Sequence, residues 1–350
     1  IIYDSKRDEL IAARDPIGIR PLYYGYDRSG AIVFASEPKN LVGLCKGIRP
    51  FPPGHYYADG KFVRYADLTT VTQYSPDDLE TVCRNIRNKL IAAVDKRLDA
   101  DAPLGFLLSG GLDSSLLSSL SSQVLRERGE TLHTFSVDYR DNDRYFQKSH
   151  FQPTSDPAYI RAMERYLGCQ HHWTVLDTPA LAEALYAAVD ARDLPGMVDV
   201  DSSLLLFCGE IRKEVTVALS GECADELFGG YPWYRDADVR RVNGFPWAQS
   251  TAYRAKFLRP ELAEKIDAQA YVQDAYERTI RAAEKLPEDS PLESRMREMM
   301  KLNLDWFMQT LLDRKDRMSM YNSLEVRVPF CDYRIAEYLY NVPWEYKDWN

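Results

Sequence analysis

A parallel α/β sheet domain, preceded by a short antiparallel β segment and followed by a helical region, is the fold class that the sequence predicts. Three observations carry it. Between Leu104 and Leu219, strand-sized apolar runs alternate with helical patterns, as in a parallel sheet covered on both faces. Residues 1–66 hold short β-branched and aromatic runs between turn signals, with no clear helix. From about residue 235 onward the pattern is mostly helical, with no clear strand.

The first segment reads as strands at Leu10–Ala13, Pro21–Tyr26, Ala31–Ala35, His55–Ala58 and Lys61–Tyr65, with Asp27-Arg28-Ser29-Gly30 and Asp59-Gly60 as hairpin turns. Pro50, Pro52, Pro53 and Gly54 forbid helix between them. Ser75-Pro76-Asp77-Asp78 is a helix start, with proline and acids at the positive end, and the helix runs to about Leu98. Strands then follow at Leu104–Leu108, Leu132–Val137, His171–Leu176 and Val215–Leu219. Between them lie helices at Ser114–Arg128, Asp156–Leu167, Pro179–Ala191 and Ser202–Lys213. The composition shift after residue 66 sets two domains, 1–68 and 69–350.

The chain has 350 residues, 45% of them hydrophobic and 28% charged, enough for a real core. A net charge of −9 argues against a nucleic-acid-binding protein. No apolar run reaches the roughly 18 residues of a membrane helix, and no signal-peptide pattern opens the sequence. The six cysteines, Cys45, Cys83, Cys169, Cys208, Cys223 and Cys331, fit neither a zinc site nor a compact disulfide scaffold. Reduced thiols in a cytoplasmic protein are expected. The chain starts at Ile1 rather than Met and ends at Asn350 without a helix stop, so a piece of a longer protein is expected.

The strongest motif is Leu107-Leu108-Ser109-Gly110-Gly111-Leu112-Asp113-Ser114-Ser115. An apolar strand enters a Gly-rich turn and a helix starts at once, which aims backbone N–H groups and a positive helix end at an anion. Gly110 and Gly111 permit positive φ and close approach of a phosphate, and the serines add hydroxyls. The GK[ST] ending of a Walker A loop is absent. Asp113 beside phosphates calls for a bridging divalent cation. A plain βα turn capped by Asp113 or Ser114 is the simpler reading of a lone Gly-Gly turn. The full SGGLDSS string instead matches the PP-loop of ATP pyrophosphatases, which split ATP between the α and β phosphates.

A second loop, Ser220-Gly221-Glu222-Cys223-Ala224-Asp225-Glu226-Leu227-Phe228-Gly229-Gly230-Tyr231, follows the strand at Val215–Leu219. Ligands of open α/β sheets sit at the carboxyl ends of strands, so both Gly-rich loops should face one crevice. Three carboxylates within five positions need cations or protons, and Mg²⁺ is the natural cation beside ATP. A solvated acidic turn is the alternative. In Asp313-Arg314-Lys315-Asp316-Arg317 the alternating charges read as a solvated, salt-bridged face, although the arginines also suit phosphate or a substrate carboxylate. Tyr231, Trp233 and Tyr234 suit either a substrate mouth or plain packing.

Four strings, LLSGGLDSS, TFSVDY (Thr134–Tyr139), LSGECADELFGGY and DRMSMYNSLEVRVPFCD (Asp316–Asp332), occur here in the order found in glutamine-hydrolysing asparagine synthetases. RDPIGIRPLYYGY (Arg14–Tyr26), ASEPKNL and FPPGHYY resemble the later part of that family's glutaminase domain. The resemblance implies a PP-loop ATP pyrophosphatase fold after part of an Ntn-hydrolase-like glutaminase domain. It implies ATP-dependent amidation of aspartate through β-aspartyl-AMP, with Mg²⁺ as cofactor and ammonia from glutamine in the full-length protein.

By the same resemblance Ser109, Gly110, Gly111, Asp113, Ser114 and Ser115 form the pyrophosphate loop, and Leu107, Val137, Ser220 and Gly221 hold adenosine. Asp113 and Asp225 are the Mg²⁺ candidates, and Glu222, with Asp225, is the catalytic candidate, Glu222 as general base toward ammonia. The family's N-terminal cysteine nucleophile is missing, and Cys45 and Cys83 lie in the wrong context to replace it. The family's adenylation lysine lies further past VRVPF than Lys347, so this chain is expected to lack it. A β-lactam synthetase-like amidotransferase and a non-catalytic nucleotide-binding homologue are the alternatives. A homo-oligomer working on small molecules, away from membrane and nucleic acid, is the expected setting.

Overall fold

The computed structural model describes residues 1–71, 77–149, 154–194 and 196–347; Ser75 and Pro76 of the expected helix start lie outside them. The chain divides into two compact units. The first comprises Ile1–Asp67, Asn85–Cys223 and Gln309–Ile335, the second Leu68–Arg84, Ala224–Met308 and Ala336–Asn350.

The first unit opens with antiparallel strands β1 (Ile2–Asp4), β2 (Glu9–Ala13), β3 (Tyr23–Tyr26), β4 (Ile32–Ala35), β5 (Lys46–Pro50), β6 (His55–Ala58) and β7 (Lys61–Arg64). They form a four-stranded sheet, β1-β2-β6-β7, and a three-stranded one, β4-β3-β5. Aromatic residues join the two, with ring centroids 4.8 Å apart for Tyr24–Phe62 and 5.6 Å for Phe34–Tyr57. The β6–β7 hairpin turns through Asp59 and Gly60 at φ 50° and 76°, the two positive values a two-residue turn of this hand needs. β1 and β5 were not expected. β5 reads Lys-Gly-Ile-Arg-Pro, mostly exposed, and its glycine and proline hide an edge strand from propensity.

The parallel sheet holds β8 (Leu104–Leu107), β9 (His133–Tyr139), β10 (Gln170–Leu176), β11 (Val217–Leu219) and β12 (Glu325–Arg327) in the order β10-β9-β8-β11-β12. Every neighbouring pair is parallel. Helices Leu112–Glu127, Pro157–Leu167, Thr178–Arg192 and Val198–Glu214 intervene, as the alternation predicts. Phe135, Leu205, Ile211, Ala218, Met318 and Val326 share one buried core cluster. β12 corrects the expectation that no strand follows residue 235. It has only three residues, of which Val326 alone is fully buried, too few for a period to show; pairing with β11 defines it. Strand order reverses between β8 and β11, since β9 and β10 build away on one side and β12 on the other. That switch point is where a doubly wound sheet opens a ligand crevice.

The second unit is helical, with Ala268–Arg281, Pro291–Leu302 and a π turn at Asn303–Phe307. Ser290 caps its helix by accepting from Glu293 N at 3.1 Å, with Pro291 in the first turn. Tyr234, 1% exposed, stacks on Trp344, and Tyr231 stacks on Trp233 at 4.2 Å. These rings thus pack within this unit. A cavity in it is lined by Tyr234, Glu293, Arg297, Tyr340 and Lys347. Burial lowers the Lys347 ammonium to about 7, helped by Arg297 and opposed by Glu293.

Candidate functional site

β8 ends at Leu107, and four residues separate it from the helix Leu112–Glu127, which leaves a loop too short for anything but a tight turn. Gly110 makes that turn at φ 77°, and a Cβ there would meet Tyr159 Cβ at 2.8 Å and Ile160 N at 2.9 Å. Only glycine fits both the angle and the space. The serines brace the loop. Ser109 N donates to Ser114 Oγ at 3.1 Å, and the two hydroxyls lie 3.0 Å apart. Ser114 Oγ also lies 3.2 Å from Gly111 O. Ser115 Oγ is buried with no hydrogen-bond partner. Leu107 and Val137 are half-buried on adjacent β8 and β9, packed against the core.

Ser220 and Gly221 follow β11, the neighbour of β8. Ser220 N donates to Arg327 O at 2.9 Å, extending the ladder. A Cβ on Gly221 would lie 3.1 Å from Ser114 N and 3.2 Å from Asp113 Cβ. The two Gly-rich loops therefore meet backbone to backbone at the first turn of the helix Leu112–Glu127. Asp113, Ser114, Ser220 and Gly221 share one place, as the switch-point argument requires.

Glu222 comes next. Its Oε1 accepts from Lys315 Nζ at 2.9 Å and lies 3.4 Å from Arg314 Nη2, while Oε2 is buried without a partner. Cys223, at φ 79°, forms a disulfide with Cys331, their Cα atoms 5.8 Å apart. This overturns the expectation of six reduced thiols. The pairing was hidden by 108 residues of sequence separation. β12 explains it: Leu219 pairs with Arg327, and each cysteine lies four residues beyond that register position.

Asp225 lies in the second unit, on the short helix Ala224–Phe228. Burial raises its carboxyl pKa, and Arg235 partly opposes this. Glu226, only 1% exposed, accepts from Tyr231 OH at 2.6 Å.

The solvated charged face expected at 313–317 is also overturned. Lys315 is 7% and Arg317 4% exposed. Arg317 pairs with Glu37 at 2.9 Å and Asp193 at 2.8 Å, Asp313 with Arg192 at 2.9 Å, and Asp316 with Arg20 at 2.6 Å. Alternating charge looks the same in sequence whether water or buried counter-ions surround it. Lys315 is the functional candidate that the sequence reading missed, and its partner lies 93 positions away.

No group of three or more His, Cys, Asp or Glu suited to a metal occurs among the described residues. Mg²⁺ needs no such cage, since it usually keeps waters and phosphate oxygens beside one or two carboxylates. Asp113, in the first turn of the helix that follows the phosphate loop, supplies one such carboxylate.

The family model for asparagine synthase matches residues 85–350, and that for a glutamine amidotransferase domain matches residues 1–43. The chain is 40% identical to asparagine synthetase [glutamine-hydrolyzing] 3 of Bacillus subtilis, over 99% of this chain and 61% of that protein. It is 32% identical to the probable asparagine synthetase of Dictyostelium discoideum over 68% of this chain and 44% of that one. For asparagine synthetase B of Escherichia coli the identity is 31%, over 67% and 43%. The chain thus spans less than two thirds of the length of each of these relatives, from 43% to 61%. With its model covering most of the sequence, the switch point and both Gly-rich loops included, the chain belongs to the asparagine synthase family.

Proposed function

We propose that the protein carrying this chain makes asparagine from aspartate, ATP and ammonia, releasing AMP and pyrophosphate, with the ammonia drawn from glutamine. The observation that carries this is the meeting of Gly221 with Ser114 and Asp113 at the end of β8. It unites a phosphate loop with the loop that bears Glu222.

In this reading the N–H groups and hydroxyls of Ser109, Gly110, Gly111, Ser114 and Ser115 bind pyrophosphate as it leaves. Leu107, Val137, Ser220 and Gly221 flank adenosine. Asp113 of the first unit and Asp225 of the second are each candidates to hold Mg²⁺, which would neutralise charge on the leaving pyrophosphate. The raised Asp225 carboxyl suits that role, since a buried acid gains most from a cation. Glu222, one oxygen held and one open, takes a proton from the attacking amine. Arg314, whose Nε is buried without a partner, suits a substrate carboxylate. Residues 1–68 act as the later part of a glutaminase domain and 69–350 as the synthetase domain. Possession of a homo-oligomeric partner and indifference to nucleic acid complete the proposal.

Asp113→Ala is expected to abolish ATP turnover with the fold intact. Pyrophosphate release and circular dichroism check this, and wild-type turnover in the variant would refute the metal role.

A further inference from the structure

We infer that Lys315 is a positioning residue for Glu222. It pins one carboxylate oxygen so that the other stays aimed at the incoming amine. The inference rests on the reading of Glu222 as the base of the amidation step.

Lys315 lies on the helix Met308–Tyr321 and is 7% exposed. Lysines are rarely buried unless paired, and the ion pair this one makes is with Glu222 Oε1, at 2.9 Å. Arg314 approaches the same oxygen at 3.4 Å. Two consecutive cations thus fork onto one oxygen, although a carboxylate offers about four lone-pair positions across two. Oε2, buried and unpartnered, is left as the proton acceptor. A buried acceptor with no partner is costly in a resting protein, which suits an atom whose partner arrives with the reaction.

The fork is itself held. Residues flanking it on the same helix are tied elsewhere in the first unit: Asp313 to Arg192, Asp316 to Arg20, and Arg317 to Glu37 and Asp193. These pairs oppose rotation or sliding of the helix, so Nζ keeps its place. On the other side, the backbone beside Glu222 is fixed by the Cys223–Cys331 bond. The carboxylate is therefore gripped from its loop and from the facing helix.

The test compares two rates in the full-length protein. Aspartate-dependent ATP–pyrophosphate exchange reports adenylation, and asparagine formation from ammonium reports the amidation step. In K315M the ratio of exchange to amidation should rise about a hundredfold or more, within the range general-base catalysis supplies. The loss should lie in kcat, and K315R should recover most of it. In an E222Q background, K315M should change amidation by no more than about twofold, because a residue acting through another is non-additive with it. E222Q/K315M removes both buried charges together, so it keeps the comparison available if K315M alone does not fold. Equal losses in both rates, or a full further loss in the E222Q background, would overturn the role. Absence of aspartate-dependent exchange in the wild type would instead overturn the underlying reading, and this inference with it.

Discussion

Gly221 sits where the two loops leave little room for a side chain. A methyl group there would lie 3.1 Å from Ser114 N and 3.2 Å from Asp113 Cβ, so the start of the phosphate-loop helix must yield. Gly221→Ala is expected to raise the KM for ATP about tenfold, a displacement of roughly 1.4 kcal/mol, with little change in melting temperature. Steady-state kinetics check it, and an unchanged KM would place ATP elsewhere. At this scale the phosphate loop was legible in the sequence, because glycines, serines and Asp113 follow one another without a gap. Lys315 was not legible as Glu222's partner. A lysine between Arg314 and Asp316 looks like any surface charge, and only the fold shows that it is buried.

At the scale of elements, the helix Met308–Tyr321 is held by buried ions. Arg317 is 3% exposed at its side chain and bridges Asp193, at 5%, to Glu37, at 31%. Removing one partner of a buried pair leaves the other charge uncompensated, at about 3–5 kcal/mol. Lys39 also reaches Glu37 and Asp193, at 3.0 and 2.9 Å, and softens the loss. Arg317→Met should therefore destabilise the protein by about 3 kcal/mol, the low end of that range. Urea denaturation measures it, and a change below about 1 kcal/mol would mean an exposed-type pair. The long alternating elements between Leu104 and Leu219 were readable from period and turn residues alone. β5 and β12 were not, because one carries glycine and proline at an edge and the other is three residues long. Their existence is decided by neighbouring strands, which no local window contains.

The whole molecule adds a covalent link that sequence spacing conceals. Of the six cysteines, Cys45, Cys83, Cys169 and Cys208 are free, and Cys223 is joined to Cys331. Thiol titration of the denatured, unreduced protein, confined to this chain's cysteines, should find four thiols, and six after reduction. Six before reduction would remove the link. The closed loop spans a separation of 108 residues, so the link is expected to stabilise the fold by a few kcal/mol, about 4.7 for a loop near 100 residues in the chain-entropy treatment. The order of the motifs along the chain was enough to suggest the family, and the model match over residues 85–350 bears that out. The disulfide needed the parallel pairing of β11 with β12, a contact between segments about a hundred residues apart.

On the proposed function, the two Gly-rich loops serve one adenylation of aspartate. Pyrophosphate release from ATP–Mg²⁺ by the full-length protein with ammonium, measured with and without aspartate, decides it. Release that depends on aspartate is the predicted result. Release that ignores aspartate but responds to another acid, or no release with any acid, would contradict it.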